Sequence, residues 1–132
     1  MREPATSVVR RFLVAWVRAD VDELAAFFSG EAVWSDGARG VHHGVVAIRK
    51  ELERLVGKVP STTVEVKAMA ADGGTVLVER LDRFELSGKP FALPVSGVLE
   101  VADHSRISRW RDYYDSGSLM EPFRAAGVRT PG

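Results

Sequence analysis

The N-terminal part of the chain repeats its hydrophobic residues every three or four positions, which is typical of helices with one buried face. This pattern predicts a first helix over residues 5–18 and a third from about Val45 to Val56. Between them, Asp20 is a suitable N-cap with Glu23 three residues later, so a short second helix is expected from there to Gly30. The expected apolar face of this second helix comprises Leu24, Phe27 and Phe28.

Hydrophobic residues alternate with polar ones in the second half of the chain, which predicts β-strands. The strands form a four-stranded antiparallel meander near residues 64–68, 76–86, 91–101 and 106–115, after a short strand at 32–35. A last helix is expected around residues 119–126. The chain is therefore expected to be α+β: three N-terminal helices packed on a curved, mostly antiparallel sheet, forming a cone with an internal apolar pocket.

Composition limits the classes of protein to which the chain can belong. Its 132 residues are expected to form one domain over residues 1–132. Eighteen basic residues balance 18 acidic ones, so the positive charge that attracts nucleic acids and anionic membranes is missing. Cysteine is absent, which excludes disulfides and thiol chemistry. Without a signal-peptide core or an apolar run of about 18 residues, we expect a cytoplasmic protein with no membrane partner.

Three ionisable residues interrupt the alternation of the predicted strands. Arg80 and Asp82 share a strand face with Val78 and Phe84, because side chains on one face are two residues apart. Asp112 occupies an otherwise apolar face of the last strand in the same way. If both faces point inward, two carboxylates and one guanidinium lie in an apolar interior. Such ions must be paired there, because unpaired burial costs several kcal/mol for each ion.

The planar guanidinium of Arg80 can hold both carboxylates. Two carboxylates that share one cation cannot both ionise cheaply, so one of them is expected to keep its proton. This arrangement places a carboxylic acid and a carboxylate on one cavity wall near neutral pH. The spacing also fits a second interpretation, in which Leu77 and Leu81 point inward and Arg80 and Asp82 form a solvated ion pair.

Two motifs carry a resemblance to a known family. Glu79-Arg80-Leu81-Asp82 is followed about thirty residues later by Trp110-Arg111-Asp112-Tyr113-Tyr114-Asp115. The pair resembles the limonene-1,2-epoxide hydrolase family, with its Arg-x-Asp and its terminal Trp-Arg-Asp-Tyr-[Phe/Tyr]-Asp motifs. The similarity covers most of the chain, and the wider fold, similar to nuclear transport factor 2 and SnoaL-like domains, serves many functions. Other similar segments are the helix with Phe12, Leu13 and Trp16, the stretches Phe28 to Asp36 and Gly44 to Ile48, and Gly97-Val98.

This resemblance implies hydrolysis of an epoxide to a vicinal diol in one acid/base step, without a metal or another cofactor. Asp112 would take a proton from water, Asp82 would protonate the epoxide oxygen, and Arg80 would hold both carboxylates. The family usually positions the attacking water with a tyrosine and an asparagine, and Trp34 and Asp36 stand at those places here. An indole only donates a hydrogen bond, whereas an ionised carboxylate only accepts. A third carboxylate also raises the pKa of its neighbours and shifts the expected pH optimum downward.

The same resemblance implies a mostly apolar pocket, and therefore an apolar epoxide as the substrate. The implied substrate-binding residues are Leu13, Trp16, Leu55, Val59, Val64, Phe84, Leu93, Val95 and Tyr114.

The remaining polar residues fit other sites poorly. His42, His43 and His104 lack the spacing of metal ligands, so no metal site is expected. The stretch Asp72-Gly73-Gly74 is a turn and lacks the sequence of a phosphate loop. The last group, on the predicted final strand, fits a solvated face or the salt bridges of a homodimer formed through the outer sheet face: Arg106, Arg109 and Arg111.

Two further functions are compatible with the sequence. A proton-transfer enzyme, such as a SnoaL-like polyketide cyclase or a ketosteroid isomerase, needs one carboxylate base and an oxyanion donor, and the replacements at Trp34 and Asp36 favour it. The other is a non-catalytic protein that binds an apolar small molecule.

Overall fold

The computed structural model describes residues 3–59 and 61–115, together with Gly117 and Arg124. The helix expected around residues 119–126 lies outside these residues, apart from Arg124. Within the described residues, three α-helices precede or interleave with the first strands of a six-stranded sheet. None of the described helices is long and apolar enough to cross a membrane.

The helices begin close to where the sequence predicts them. They are α1 (Ala5–Arg18), α2 (Val21–Ala25) and α3 (Val45–Lys58). Asp20 caps α2 as expected, because its Oδ1 accepts a hydrogen bond of 3.2 Å from the backbone N–H of Glu23. The predicted end of α2 is wrong: Phe28 and Gly30 belong to a strand, not to the helix.

The predicted meander is present and is extended by two strands at one edge. The strands are β1 (Phe28–Asp36), β2 (Val41–His43), β3 (Thr62–Asp72), β4 (Thr75–Leu86), β5 (Lys89–Ala102) and β6 (Arg106–Tyr113). Their order in the sheet is β2-β1-β6-β5-β4-β3, and every pair is antiparallel except β1 with β6. The α+β fold class is therefore confirmed, with α1 and α3 packed against the curved sheet.

Burial along β4 decides between the two interpretations of this strand. Arg80 and Asp82 are buried, with exposed fractions of 5% and 8%. The residues between and beside them are more exposed: Leu77 is 51% exposed and Leu81 is half-buried. The inward face of β4 is thus the one that carries the charges, and a solvated ion pair is ruled out.

An aromatic cluster fills part of the core between α1 and the sheet. Trp34 of β1 stacks on Trp110 of β6, with ring centroids 4.2 Å apart and an interplanar angle of 4°. Phe12 and Trp16 of α1 meet Trp110 edge-on at 5.1 and 5.5 Å. Edge-on and offset-stacked rings of this kind add about 0.5–1.5 kcal/mol per pair beyond the burial of their area. The cluster fixes β1 beside β6, which positions the polar residues that follow the tryptophans on both strands.

Candidate active site

Arg80 joins Asp82 and Asp112 inside the molecule. Its Nε donates to Asp82 Oδ1 at 3.0 Å, while Nη1 and Nη2 donate to the two oxygens of Asp112 at 2.9 and 2.7 Å. The side chains of Arg80 and Asp112 are 5% and 6% exposed. The structure therefore brings the three residues of the two motifs together as one buried ionic unit.

A glycine makes this contact possible. Strand β5 lies between β4 and β6, so the Arg80 side chain must cross β5 to reach Asp112. It crosses at Gly97, which pairs with Val78 on one side and Asp112 on the other. A Cβ atom at position 97 would lie 2.8 Å from Arg80 Nη1 and 3.0 Å from Asp112 Oδ1. Any larger residue would force the guanidinium away from its present position.

The two carboxylates of the unit have different surroundings. Asp112 accepts from two nitrogens of Arg80 and, at Oδ1, from the indole nitrogen of Trp110 at 2.8 Å. Asp82 accepts from the single Nε of Arg80. Burial raises the pKa of Asp82 above its usual value, although the Arg80 charge works against this effect. The protonated form is therefore more accessible to Asp82 than to an exposed aspartate.

Arg80 itself stays charged. Burial acts to lower the pKa of its guanidinium, but the charges and hydrogen bonds of Asp112 and Asp82 raise it further than burial lowers it. The unit thus holds a permanent cation between its two acids.

A second buried chain of charges lies next to the first, and sequence analysis missed three of its members, Arg39, Glu51 and the partly exposed Arg54. Arg39, in a 3-10 turn (Gly37–Arg39) after β1, donates to Asp36 Oδ2 at 2.5 Å and also to Glu51 of α3. Arg54 donates to the other oxygen of Glu51 at 3.0 Å. The Tyr114 hydroxyl lies 3.1 Å from the backbone oxygen and 3.2 Å from Oδ1 of Asp36.

The sequence contained a signal for Glu51 but none for Arg39. Glu51 lies on the apolar stripe of α3 between Ile48, Leu52 and Leu55, so an acid appears where the helix is buried. Arg39 ends a short turn that begins at Gly37, where no periodic pattern indicates the direction of a side chain.

Burial and neighbouring charges shift the pKa values of the acids in this second buried chain of charges. Burial raises the pKa of Asp36 to about 6, Arg39 opposes this, and the nearby charge of Asp112 adds to it. Burial alone would also raise the pKa of Glu51, but hydrogen bonds from Arg54 and the charge of Arg39 bring it below its usual value. Burial and the charge of Asp36 raise the pKa of Tyr114, so its hydroxyl remains a donor.

The buried ionic unit of Arg80, Asp82 and Asp112 and the second buried chain of charges both border a cavity of about 90 Å³. This volume is several times the roughly 10–15 Å³ that one water molecule needs on such a measure. The polar wall is formed by Asp36, Arg39, Arg80, Asp82 and Asp112. Among the predicted substrate-binding residues, those that line the cavity are Trp16, Leu55, Val59, Phe84, Leu93, Val95 and Tyr114.

Two of the predicted substrate-binding residues lie elsewhere. Leu13 is buried in the core on α1, and Val64 of β3 packs half-buried against that core, and neither is part of the cavity lining. Trp34 does line the cavity, but its indole nitrogen has almost no accessible surface and no hydrogen-bond partner among the described residues. Its ring, not its N–H group, is what Trp34 presents to the cavity.

The described residues contain no group of three or more His, Asp or Glu side chains arranged as metal ligands. His42 and His43 lie on the short edge strand β2, and His104 lies in the turn before β6.

Comparison with known proteins identifies the family. A family model of the limonene-1,2-epoxide hydrolase catalytic domain matches residues 3–124. The chain belongs to the limonene-1,2-epoxide hydrolase family. Membership in this family confirms the enzyme class that the two motifs predict, an epoxide hydrolase. The match includes the strands that carry Arg80, Asp82 and Asp112, so the family sequence extends over the site described above.

Individual relatives agree with this assignment. Epoxide hydrolase EphG from Mycobacterium tuberculosis (strain ATCC 25618 / H37Rv) is 33% identical over 107 residues, which are 81% of this chain and 70% of that protein. A solved LEH-like epoxide hydrolase from M. tuberculosis is 30% identical and superposes with a TM-score of 0.78, covering 92% of this chain and 90% of the other.

Other enzymes share the fold alone. A putative SnoaL-like polyketide cyclase from Shewanella denitrificans OS-217 superposes with a TM-score of 0.80 over 92% of this chain and 97% of its own, at 15% identity. This similarity confirms the predicted relation to SnoaL-like folds.

Proposed function

We propose that this chain hydrolyses an apolar epoxide to a vicinal diol in one concerted acid/base step, without a metal or another cofactor. Asp112 is the general base, Asp82 is the general acid, and Arg80 holds both. The observation that carries the proposal is the buried guanidinium of Arg80, which donates to both carboxylates at 2.7–3.0 Å beside a cavity.

The reaction balances with these groups alone. A water oxygen attacks one epoxide carbon while the bond from that carbon to the epoxide oxygen breaks. Asp112 takes a proton from the water, and the proton of Asp82 goes to the leaving oxygen, which becomes the second hydroxyl. A proton then returns from Asp112 to Asp82 before the next turnover. General acid and base assistance of this kind contributes about 10²–10⁴-fold.

The surroundings of the two acids support this division of roles. Asp112 accepts three hydrogen bonds, two from Arg80 and one from Trp110, which orient its carboxylate toward the role of a base. Burial raises the pKa of Asp82 and favours its neutral form. With Asp82 protonated, the unit of Arg80, Asp82 and Asp112 carries no net charge, which is the form that an apolar cavity favours.

In this proposal, Asp36 holds the attacking water. It lies directly opposite Asp112 in the parallel pairing of β1 with β6, and both border the cavity. A water between them can donate one hydrogen to each carboxylate, which aims its lone pair at the substrate. The ring of Trp34 serves as an apolar wall beside this water, because its N–H group does not reach the cavity surface.

The apolar wall of the cavity supports an apolar substrate. Binding through shape and hydrophobic contact leaves the polar wall free for the epoxide ring and water. The side chains that we propose contact the substrate are Trp16, Leu55, Val59, Phe84, Leu93, Val95 and Tyr114.

A labelling experiment tests the reaction and the roles together. Cyclic and terpene epoxides are incubated with the protein in ¹⁸O-labelled water, and the expected products are diols with a single label. Asp82→Asn and Asp112→Asn are each expected to lose at least about 10²-fold in kcat/KM, the lower range for one acid or base. Asp72→Asn, an exposed aspartate at a hairpin, serves as the matched control. Turnover that survives either buried substitution in a folded variant contradicts the assigned roles.

Proton transfer on a carbonyl compound is a second candidate reaction. It is favoured by the pKa of about 6 at Asp36, which suits a base near neutral pH, and by the neighbouring Tyr114 hydroxyl donor. Exchange of substrate carbon-bound hydrogen with deuterated water, in the absence of any epoxide turnover, distinguishes this reaction from hydrolysis.

We also propose a homodimer formed through the outer face of the sheet. Leu77 of β4 and Tyr113 of β6 are 51% and 56% exposed on that face. Light scattering after size exclusion is expected to give twice the 14.5 kDa chain mass. Leu77→Asp is expected to lower this mass toward the monomer, whereas Val46→Asp, at a 74% exposed position of α3, leaves it unchanged. A monomer at all concentrations contradicts the proposal.

A cytoplasmic location and the absence of nucleic-acid and membrane partners stay predictions.

A further inference from the structure

The second buried chain of charges has a composition that the hydrolysis itself does not require. Arg39 bridges Asp36 and Glu51, and Arg54 holds the far oxygen of Glu51. The side chains of Arg39 and Glu51 are 3% and 8% exposed, so the bridge is almost fully withdrawn from solvent. Burying these ions is costly unless they are paired, and each of them is paired here.

Asp36 needs a cation of its own. It lies opposite Asp112 on the neighbouring strand, and the charge of Asp112 raises the pKa of Asp36. Arg80 cannot serve Asp36, because its nitrogens already donate to Asp82 and Asp112. Arg39 is the cation that contacts Asp36, and Glu51 fixes it from α3.

Building on the proposed hydrolysis, we propose that Arg39 is a positioning residue that keeps Asp36 ionised and oriented, so that Asp36 and Asp112 together accept both hydrogens of the attacking water. Glu51 anchors Arg39 and partly offsets its charge. The pair Arg39 and Glu51 thereby lets a carboxylate stand where the family usually has an asparagine.

Several titratable and charged groups of the described residues face Asp36 and bear on its ionisation. These groups are Arg39 of the 3-10 turn, Glu51 and Arg54 of α3, Asp112 of β6, Tyr114 just after β6, and Arg80 and Asp82 of β4. Burial raises the pKa of Asp36 to about 6, Arg39 lowers it, and Glu51 raises it. At pH 7 the ionised form therefore predominates by about tenfold.

Arg39 and Glu51 act on Asp36 in opposite directions, which gives a signature that a purely structural role does not produce. Carbon-13 NMR of protein labelled at the aspartate carboxyls follows the titration of Asp36 without any substrate. Arg39→Met is expected to move this titration above its wild-type midpoint, and Glu51→Gln to move it below. Arg49 is an exposed arginine on α3, the helix of Glu51. Arg49→Gln is therefore the matched control and is expected to leave the titration midpoint of Asp36 in place. Equal midpoints, or shifts of the same sign in both variants, overturn the proposal.

Kinetics test the consequence for water. Arg39→Met is expected to lower kcat/KM at pH 7 by about tenfold. The kcat/KM of this variant is expected to recover as the pH rises, because Asp36 then regains its charge. In the double variant with Asp36→Asn, activity at pH 7 is expected to rise again, because an amide accepts from water without needing a cation. No recovery with either pH or the second substitution contradicts the proposal.

Two controls keep the results separable. If the wild-type protein turns over no epoxide, the proposed hydrolysis fails while the NMR titrations still decide the effect of Arg39 on Asp36. If Arg39→Met does not fold, Glu51→Gln decides alone. The acid limb of its pH profile of kcat/KM is expected to move to lower pH, and an unchanged acid limb overturns the proposal.

Discussion

At the scale of single residues, the site depends as much on a missing side chain as on the charged ones. Arg80 reaches Asp112 only because Gly97 leaves the surface of β5 bare at the crossing point. The alternation of their strands puts Arg80 and Asp82 on one face of β4 and Asp112 on one face of β6, but it leaves open which face of β4 points inward. The burial of Arg80 and Asp82 decides this point. The crossing at Gly97 depends on how three strands are placed side by side, and the pattern along one strand does not contain that information.

Gly97→Ala tests this dependence. The added Cβ would lie 2.8 Å from Arg80 Nη1, so the guanidinium has to shift. Displacements of about 1 Å at a catalytic group cost up to about 10²-fold, and we expect a loss of that order in kcat/KM with the fold retained. Gly30→Ala, in β1 where a Cβ meets nothing within 4 Å, is the matched control. Steady-state kinetics and thermal melting of both variants check the prediction, which an active Gly97→Ala would contradict.

At the scale of secondary-structure elements, the long regular segments were predictable and the irregular ones were not. Helices α1 and α3 and strands β3 to β6 carry clear periods, and the structure confirms them. Strand β1 begins with Phe28, which also fits the end of an apolar helix face, and Gly30 and Glu31 break its alternation. Strand β2 has three residues, too few to show a period.

The pairing of β1 with β6 shows what such gaps conceal. The two strands are parallel and are separated in the chain by α3 and four further strands, so only the folded sheet brings them together. Their register places Trp34 beside Trp110 and Asp36 beside Asp112. The resemblance to a known family indicated that Asp36 belongs to the site, whereas Arg39 became visible only with the turn that follows β1.

At the scale of the whole molecule, the ionised form of Asp36 that the proposed function needs lowers the stability of the fold. Burial raises the pKa of Asp36 from its usual 3.8 to about 6. Between these pH values the folded chain binds more protons than the unfolded chain, so the contribution of this group to stability falls as the pH rises. A pKa difference of about two corresponds to about 3 kcal/mol, present below about pH 4 and lost above about pH 6.

Asp36→Asn removes this dependence and provides the measurement. The free energy of unfolding of the variant, relative to wild type, is expected to rise by up to about 3 kcal/mol between pH 4 and pH 8. Urea denaturation at several pH values gives the slope, which is independent of any constant cost of leaving Arg39 with one carboxylate fewer. Asp72→Asn, on an exposed hairpin, is expected to show no such slope. If the difference in free energy of unfolding between Asp36→Asn and wild type stays constant with pH, Asp36 is no harder to ionise in the folded protein than in the unfolded chain. In that case the protein loses no stability by keeping a charged water ligand inside its core.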